Sequence, residues 1–173
     1  MYLITKRIFD IISSTIALLL LSPLFLPIMI LLKLTSEGEV FYFQERIGMS
    51  NKPFKIFKFA TMLKNSSKMK EGFITVKNDP RLTFMGGFLR KSKINELPQL
   101  LNIFLGHMSV IGPRPVMRVS FESYPENIQK VIYDVKPGLS GIGSIIFRDE
   151  EEIITKVKTD THDRSWTNDT HVT

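Results

Sequence analysis

The sequence contains no cysteine, which excludes disulfides, thiolate metal sites and cysteine nucleophiles. Histidine is scarce: His107, His162 and His171 are scattered along the chain and do not form a histidine-rich metal site. Charge is missing altogether from residues 11–32, which read IISSTIALLLLSPLFLPIMILL. Elsewhere the composition is ordinary. Hydrophobic residues make up 43% and charged residues 23% of 173, which excludes general disorder and allows one compact domain with an appendage. The mean hydropathy of +0.05 is high for a soluble protein and comes from that one uncharged run.

The net charge is +6, unevenly placed: +2 for residues 1–33, +7 for 34–147 and −3 for 148–173. A basic body next to a lipid-soluble segment points to an anionic membrane surface or a phosphate-bearing ligand. The apolar run is too long for the core of a signal peptide, and no small-residue cleavage site follows it, only Lys33-Leu34-Thr35-Ser36-Glu37. Twenty-two residues in a helix reach ~33 Å, enough for a ~30 Å hydrocarbon core. Two features oppose a simple span. Pro23 and Pro27 each remove a backbone hydrogen bond, while the Ser22 hydroxyl can satisfy a group so freed. Basic residues also flank both ends, Lys6 and Arg7 before, Lys33 and Arg46 after, and the positive-inside rule pulls both flanks to the cytoplasmic face. A re-entrant helix-break-helix at Ser22-Pro23 and a single span stay level on these grounds. Asp10, one turn from Lys6 and close to Arg7, suits an ion pair at the interface.

In the body, residues 40–45 (VFYFQE) and 54–62 (FKIFKFATM) are partly alternating, and Gly48-Met49-Ser50-Asn51 between them predicts a hairpin. The lysine–aromatic interleaving of residues 52–59 reads as an amphipathic strand with lysine outward; nucleic acid is not expected as a partner. Ile94, Leu97, Leu100, Leu101, Phe104 and Leu105 follow helical spacing, with Gly106 as the stop. Pro98 is tolerable only in a first turn, so this helix is expected to begin near Asn95 as N-cap. Glu96 would then sit at the positive end of the dipole, behind Arg90, Lys91 and Lys93. That arrangement suits a metal-bound diphosphate, with a capped helix and solvated basic lead-in as the structural reading beside it. Gly112-Pro113-Arg114-Pro115 holds a single arginine between two rigid prolines, apt for phosphate or carboxylate. A short helix is predicted from Pro125-Glu126 to about Val135, and a polar tail without a packed core from residue 148.

Nine motifs then occur together in order: Lys6-Arg7-x-x-Asp10, Ser22-Pro23, Gln44-x-Arg46-x-Gly48, Phe57-Lys58-Phe59-x-Thr61-Met62, Asp79-Pro80-Arg81, Phe88-Leu89-Arg90-Lys91, Glu96-Leu97-Pro98-Gln99-Leu100-x-Asn102, Met108-Ser109-x-x-Gly112-Pro113-Arg114-Pro115 and Lys136-Pro137-Gly138. In these the chain resembles the bacterial sugar transferases, small monotopic polyprenyl-phosphate phosphoglycosyl transferases. The resemblance implies an α+β protein. A membrane-embedded re-entrant helix-break-helix (residues 1–34) precedes a small, mostly helical cytoplasmic transferase domain with a short β-hairpin (35–147) and a polar tail (148–173). It implies transfer of a sugar-1-phosphate from a UDP-sugar to undecaprenyl phosphate, with Mg²⁺ required, at the cytoplasmic face of the bacterial inner membrane. Inner-membrane lipids and downstream glycosyltransferases are the further partners implied.

In the family an aspartate attacks the β-phosphate to form a phosphosugar-enzyme, and the adjoining glutamate, here Glu96, binds the metal. Arg90 and Arg114, with Pro113 and Pro115 about the latter, become the phosphate-binding candidates. Four departures stand out. Asn95 occupies the aspartate position, His107 replaces a motif aspartate, Ala60 replaces an arginine, and the tail lacks the apolar segment that commonly finishes these proteins, which raises truncation. A carboxamide is uncharged and its lone pairs are tied up in resonance, so it is a poor nucleophile. The sequence therefore leaves open an active transferase using Asn95 and Glu96, an impaired relative serving as a membrane-bound partner in the same pathway, and a basic membrane-tethered binding module.

Overall fold

The computed structural model describes residues 2–35, 37–64, 66 and 79–141; the acidic run at 149–152 and the polar tail lie outside them. The described chain is α+β. Helix α1 (Tyr2–Thr35) is followed by strands β1 (Phe41–Ile47) and β2 (Pro53–Phe59), helix α2 (Gly86–Lys91), a 3-10 turn (Ile94–Glu96) and helix α3 (Gln99–Leu105). Strand β3 (Ser109–Ile111), helices α4 (Arg118–Glu122) and α5 (Glu126–Val131) and strand β4 (Gly138–Ser140) complete it.

Residues Tyr2–Thr35 form one α-helix, without the interruption expected at Ser22-Pro23. Pro23 has no N–H to give the carbonyl of Leu19 four residues back, and the Ser22 hydroxyl donates to that same carbonyl at 2.8 Å. The serine thus supplies the bond the proline removes, and the helix continues.

One stripe of α1 packs on the body along nearly its whole length, and the rest is bare. Near its start, Ser109 Oγ and the Val110 N–H both donate to Asp10 Oδ1 at 2.9 Å. Lys6 pairs with Asp10 Oδ2 at 3.8 Å and donates to the Ser109 hydroxyl and the Ile111 carbonyl. The ion pair expected of Lys6 and Asp10 is present, but Arg7 is not part of it. Its guanidinium donates to the Ile103 and Phe104 carbonyls at 2.6 and 2.7 Å, capping the C-terminus of α3. Midway, Ala17, Leu18 and Leu21 pack on Ile56, Leu100, Ile103 and Met108. Towards the end, Ile28 and Leu32 join Phe59 and Leu89, with Phe25 edge-on to Phe59 at 5.6 Å. Burying Leu32 completely contributes ~2 kcal/mol. Ile12, Ile16, Leu19, Leu20, Leu26 and Ile30 remain exposed.

The hairpin forms as expected: β1 and β2 are antiparallel, from Phe41 opposite Phe59 to Ile47 opposite Pro53, joined through Met49–Asn51. A second, parallel pair, β3 with β4, was not foreseen. Its backbones approach so closely that a Cβ on Gly138 would lie 2.1 Å from the Gly112 nitrogen, so glycine is required there. Two helix expectations are corrected. Helix α5 ends at Val131 rather than near Val135. Helix α3 begins at Gln99 with Pro98 as N-cap, so Asn95 is no N-cap and Glu96 lies in the preceding 3-10 turn. Gly106 does stop α3, at φ +90°. Of the apolar stripe, Leu100 is buried, while Leu101, Phe104 and Leu105 face outward beside α1.

Asp10 is 3% exposed and accepts two hydrogen bonds as well as the Lys6 charge. Asp10→Ala strands these donors and should lower stability by about 3 kcal/mol, with Asp10→Asn intermediate, read from thermal unfolding in detergent.

Candidate functional site

The two faces of the hairpin decide which side chains meet. In a strand, alternate residues share a face, so Phe54, Ile56 and Lys58 of β2 look the same way. The register sets Arg46, Gln44 and Tyr42 of β1 opposite them. Ile56 is buried on α3, and Lys58 beside it is drawn inward rather than outward as its sequence pattern suggested. Lys55, on the other face, is exposed. Asn102, wholly buried, fixes α3 against β2: its Oδ1 accepts from the Phe57 N–H at 2.9 Å and its Nδ2 donates to the Lys55 carbonyl at 2.8 Å. The turn that precedes α3 is thereby held over Lys58, whose ammonium reaches Glu96 Oε1 at 3.1 Å.

Arg114 closes the opposite side. Its segment is pinned by Tyr133, whose hydroxyl donates to the Arg114 carbonyl at 2.8 Å and accepts from the Val116 N–H at 3.1 Å. The pocket so formed is walled by Arg46, Lys58, Glu96, Gln99, Arg114 and Pro115, with Ile56, Gly138 and Leu139 beneath. Three cations face one carboxylate. Burial pushes the Glu96 carboxyl up, but the Lys58 ammonium bonded to it, with Arg114 and Lys93, outweighs burial and holds it below the ordinary carboxylate range. Burial lowers Lys58, and Arg46 and Arg114 add to this against the pull of Glu96. Arg46 is lowered by burial and by Arg114. The three cations and one carboxylate leave the pocket with a net positive charge.

Of the residues expected from sequence, Glu96, Arg114 and Pro115 come together here. Asn95 adjoins Glu96 but is buried at 6%, and its Oδ1 has no hydrogen-bond partner. Arg90 lies on α2 and Pro113 turns its carbonyl to the Gly138 N–H at 2.9 Å; neither lines the pocket. Ser22 and Pro23 lie far along α1, and Lys6, Arg7 and Asp10 serve the docking of that helix. Arg46, Lys58 and Gln99 were missed as pocket residues. For Lys58 the available signal was a charge at an inward position of a strand whose neighbours on that face, Phe54 and Ile56, are apolar.

No group of three acidic or histidine ligands occurs among the described residues. Magnesium is nonetheless commonly held by one or two carboxylates together with substrate phosphates. The Glu96 carboxylate fits that mode, and the unpartnered Asn95 Oδ1 of the adjoining residue, outside the pocket lining, is a further oxygen.

The family model of the bacterial sugar transferases matches residues 1–172. The chain belongs to the bacterial sugar transferase family. Its relatives within that family include the exopolysaccharide production protein ExoY of Rhizobium meliloti, 41% identical over 170 residues, 90% of this chain and 75% of that protein. The UDP-glucose:undecaprenyl-phosphate glucose-1-phosphate transferase of Klebsiella pneumoniae is 40% identical over 161 residues, 90% of this chain and 34% of that protein. An undecaprenyl-phosphate galactose phosphotransferase of Salmonella typhimurium is 33% identical over 178 residues, covering 94% of this sugar transferase chain and 37% of its own. The chain thus spans about a third of the length of these two named transferases.

The Lys58–Glu96 pair makes a pH prediction. A carboxyl held below its unfolded value stabilises the fold above that value and loses the contribution as pH falls through the lowered one. In Lys58→Met burial acts on Glu96 with less opposition, so its carboxyl should rise. Thermal unfolding followed from pH 7 to well below the ordinary carboxylate value should then show the variant losing less stability than the wild type on acidification.

Proposed function

We propose that this chain moves a sugar-1-phosphate from a UDP-sugar to undecaprenyl phosphate, releasing UMP, as the first membrane step of lipid-linked glycan assembly. The observation that carries this reading is the single carboxylate, Glu96, set among Arg46, Lys58 and Arg114 in one pocket of a sugar transferase chain. Relatives are named for both substrates, with glucose or galactose as the sugar.

Arg114 and Lys58 bind the diphosphate and disperse the charge that grows on the departing UMP. Glu96, ionised at neutral pH, would hold Mg²⁺ with the adjoining Asn95 Oδ1 as a further oxygen, and the ion would supply positive charge against the phosphates. Asn95 supplies no anionic nucleophile. The route that suits it is direct displacement: an oxygen of undecaprenyl phosphate attacks the sugar-bearing phosphorus, and the bond from that phosphorus to the UMP oxygen breaks. The products are UMP and undecaprenyl diphosphate sugar, which downstream glycosyltransferases would extend.

Both ends of α1 are taken to lie at the cytoplasmic face of the inner membrane, with lipid covering its bare side. Contacts from Lys6 to Leu32 support this, since 26 residues of helix would extend ~39 Å if straight. A span with its ends on opposite faces would drag the one body through the bilayer.

Three outcomes follow. Glu96→Ala should reduce UMP release from UDP-sugars by at least about a hundredfold. The unaltered protein should turn over without a phosphosugar adduct in intact-protein mass spectrometry, and Asn95→Asp should gain little; inactivity rescued by orders of magnitude in Asn95→Asp would instead mark the covalent route as the only one and this chain as an impaired partner. For topology, the absence of native cysteine makes Leu3→Cys and Ser50→Cys unique labels. Both should react from the cytoplasmic side in intact cells, and labelling from opposite sides defeats the re-entrant reading.

A further inference from the structure

Arg46 is bonded in a way that a purely structural arginine is not. Its Nη2 donates to Gln44 Oε1 at 2.6 Å, its Nη1 reaches the Pro115 carbonyl only at 3.4 Å, and its buried Nε has no partner. No carboxylate lies within ion-pair distance of it among the described residues, although Lys58 and Arg114 share the same pocket. A guanidinium offers five donors in a planar fork, and leaving a partly buried charge so poorly matched is costly unless a further anion completes it. Gln44 sits two residues away on the same face of β1 and is the one close acceptor. Its amide nitrogen makes a long contact of 3.5 Å with Met117 Sδ. A glutamine at that place aims the guanidinium without cancelling its charge, as a carboxylate would.

We propose that Arg46 is a further phosphate-recognition residue of this pocket, its terminal guanidinium nitrogens donating to a phosphate oxygen of the substrate, and that Gln44 is the positioning residue that aims it. The proposal rests on the transferase reading above. It adds a third cation to the phosphate site and gives the Gln44-x-Arg46 motif a function. The phosphate belongs to the nucleotide diphosphate or to the polyprenyl phosphate, which present the same chemistry.

The test uses the full chain in detergent with magnesium, measuring the Kd of UDP, the KM of undecaprenyl phosphate and the thermal midpoint for three variants. Arg46→Lys keeps a charge but loses the fork and should raise the Kd of UDP about tenfold. Gln44→Ala should weaken UDP by less. Gln44→Glu is the discriminating variant. A carboxylate there holds Arg46 more tightly but competes with phosphate, so the thermal midpoint should rise while UDP binding falls. A rise confined to the KM of undecaprenyl phosphate assigns Arg46 to the acceptor's phosphate and upholds the recognition role. If the wild type binds UDP and all three variants keep both constants within about twofold of it, Arg46 is only a tie between β1 and the Pro115 segment, and the proposal is overturned. If the wild type binds no UDP, the transferase reading falls first.

Discussion

A long apolar helix laid along a small polar body is stable only if one stripe of it is held by the body and the remainder meets something other than water. Helix α1 satisfies the first condition with polar bonds at its start and apolar packing further on. Asp10, Lys6 and Arg7 bind β3 and the end of α3, while Ile28 and Leu32 enter the same core as Phe59 and Leu89. The second condition concerns Ile12, Ile16, Leu19, Leu20 and Leu26, which stand open on the other side and which the proposed reading covers with lipid. Because α3 is clamped by Arg7 at its C-terminus and carries the Glu96 turn before its N-terminus, the docking of α1 also fixes where the pocket lies relative to that helix.

The pocket is assembled by side chains that replace missing backbone partners. Asn102 presents its amide to β2 as a neighbouring strand would, and Tyr133 holds the Arg114 segment through its hydroxyl. These residues touch no candidate ligand, yet they determine that Lys58, Glu96 and Arg114 face one another. The result is a surplus of positive charge in a partly desolvated place. Under the proposed reading that surplus meets a leaving group of growing negative charge.

The position of Asn95 is the point at which chemistry and family part. Its carboxamide is buried next to Glu96 with an unpartnered oxygen, an arrangement suited to coordinating or orienting rather than attacking. Arg46, Lys58 and Arg114 line the pocket without contact from it.

By itself the sequence determined the features that arise from local chemistry: the uncharged run and its flanking bases, the hairpin about residues 48–51, the stop at Gly106 and the motif order that marks the family. It also singled out Glu96 and Arg114. Only the tertiary structure decided the rest. Lys58 read as a solvent-facing lysine because alternation reports which face a residue lies on and not what covers that face. The start of α3 was misplaced because Asn95 has good N-cap chemistry, whereas burial drew it inward and left Pro98 to begin the helix. Arg90 and Arg114 looked alike as basic residues near the motif, and packing separated them by placing only the second in the pocket wall. The pairing of β3 with β4, between residues about thirty positions apart, left no local trace beyond glycines whose missing side chains are explained by backbone contact across that distance.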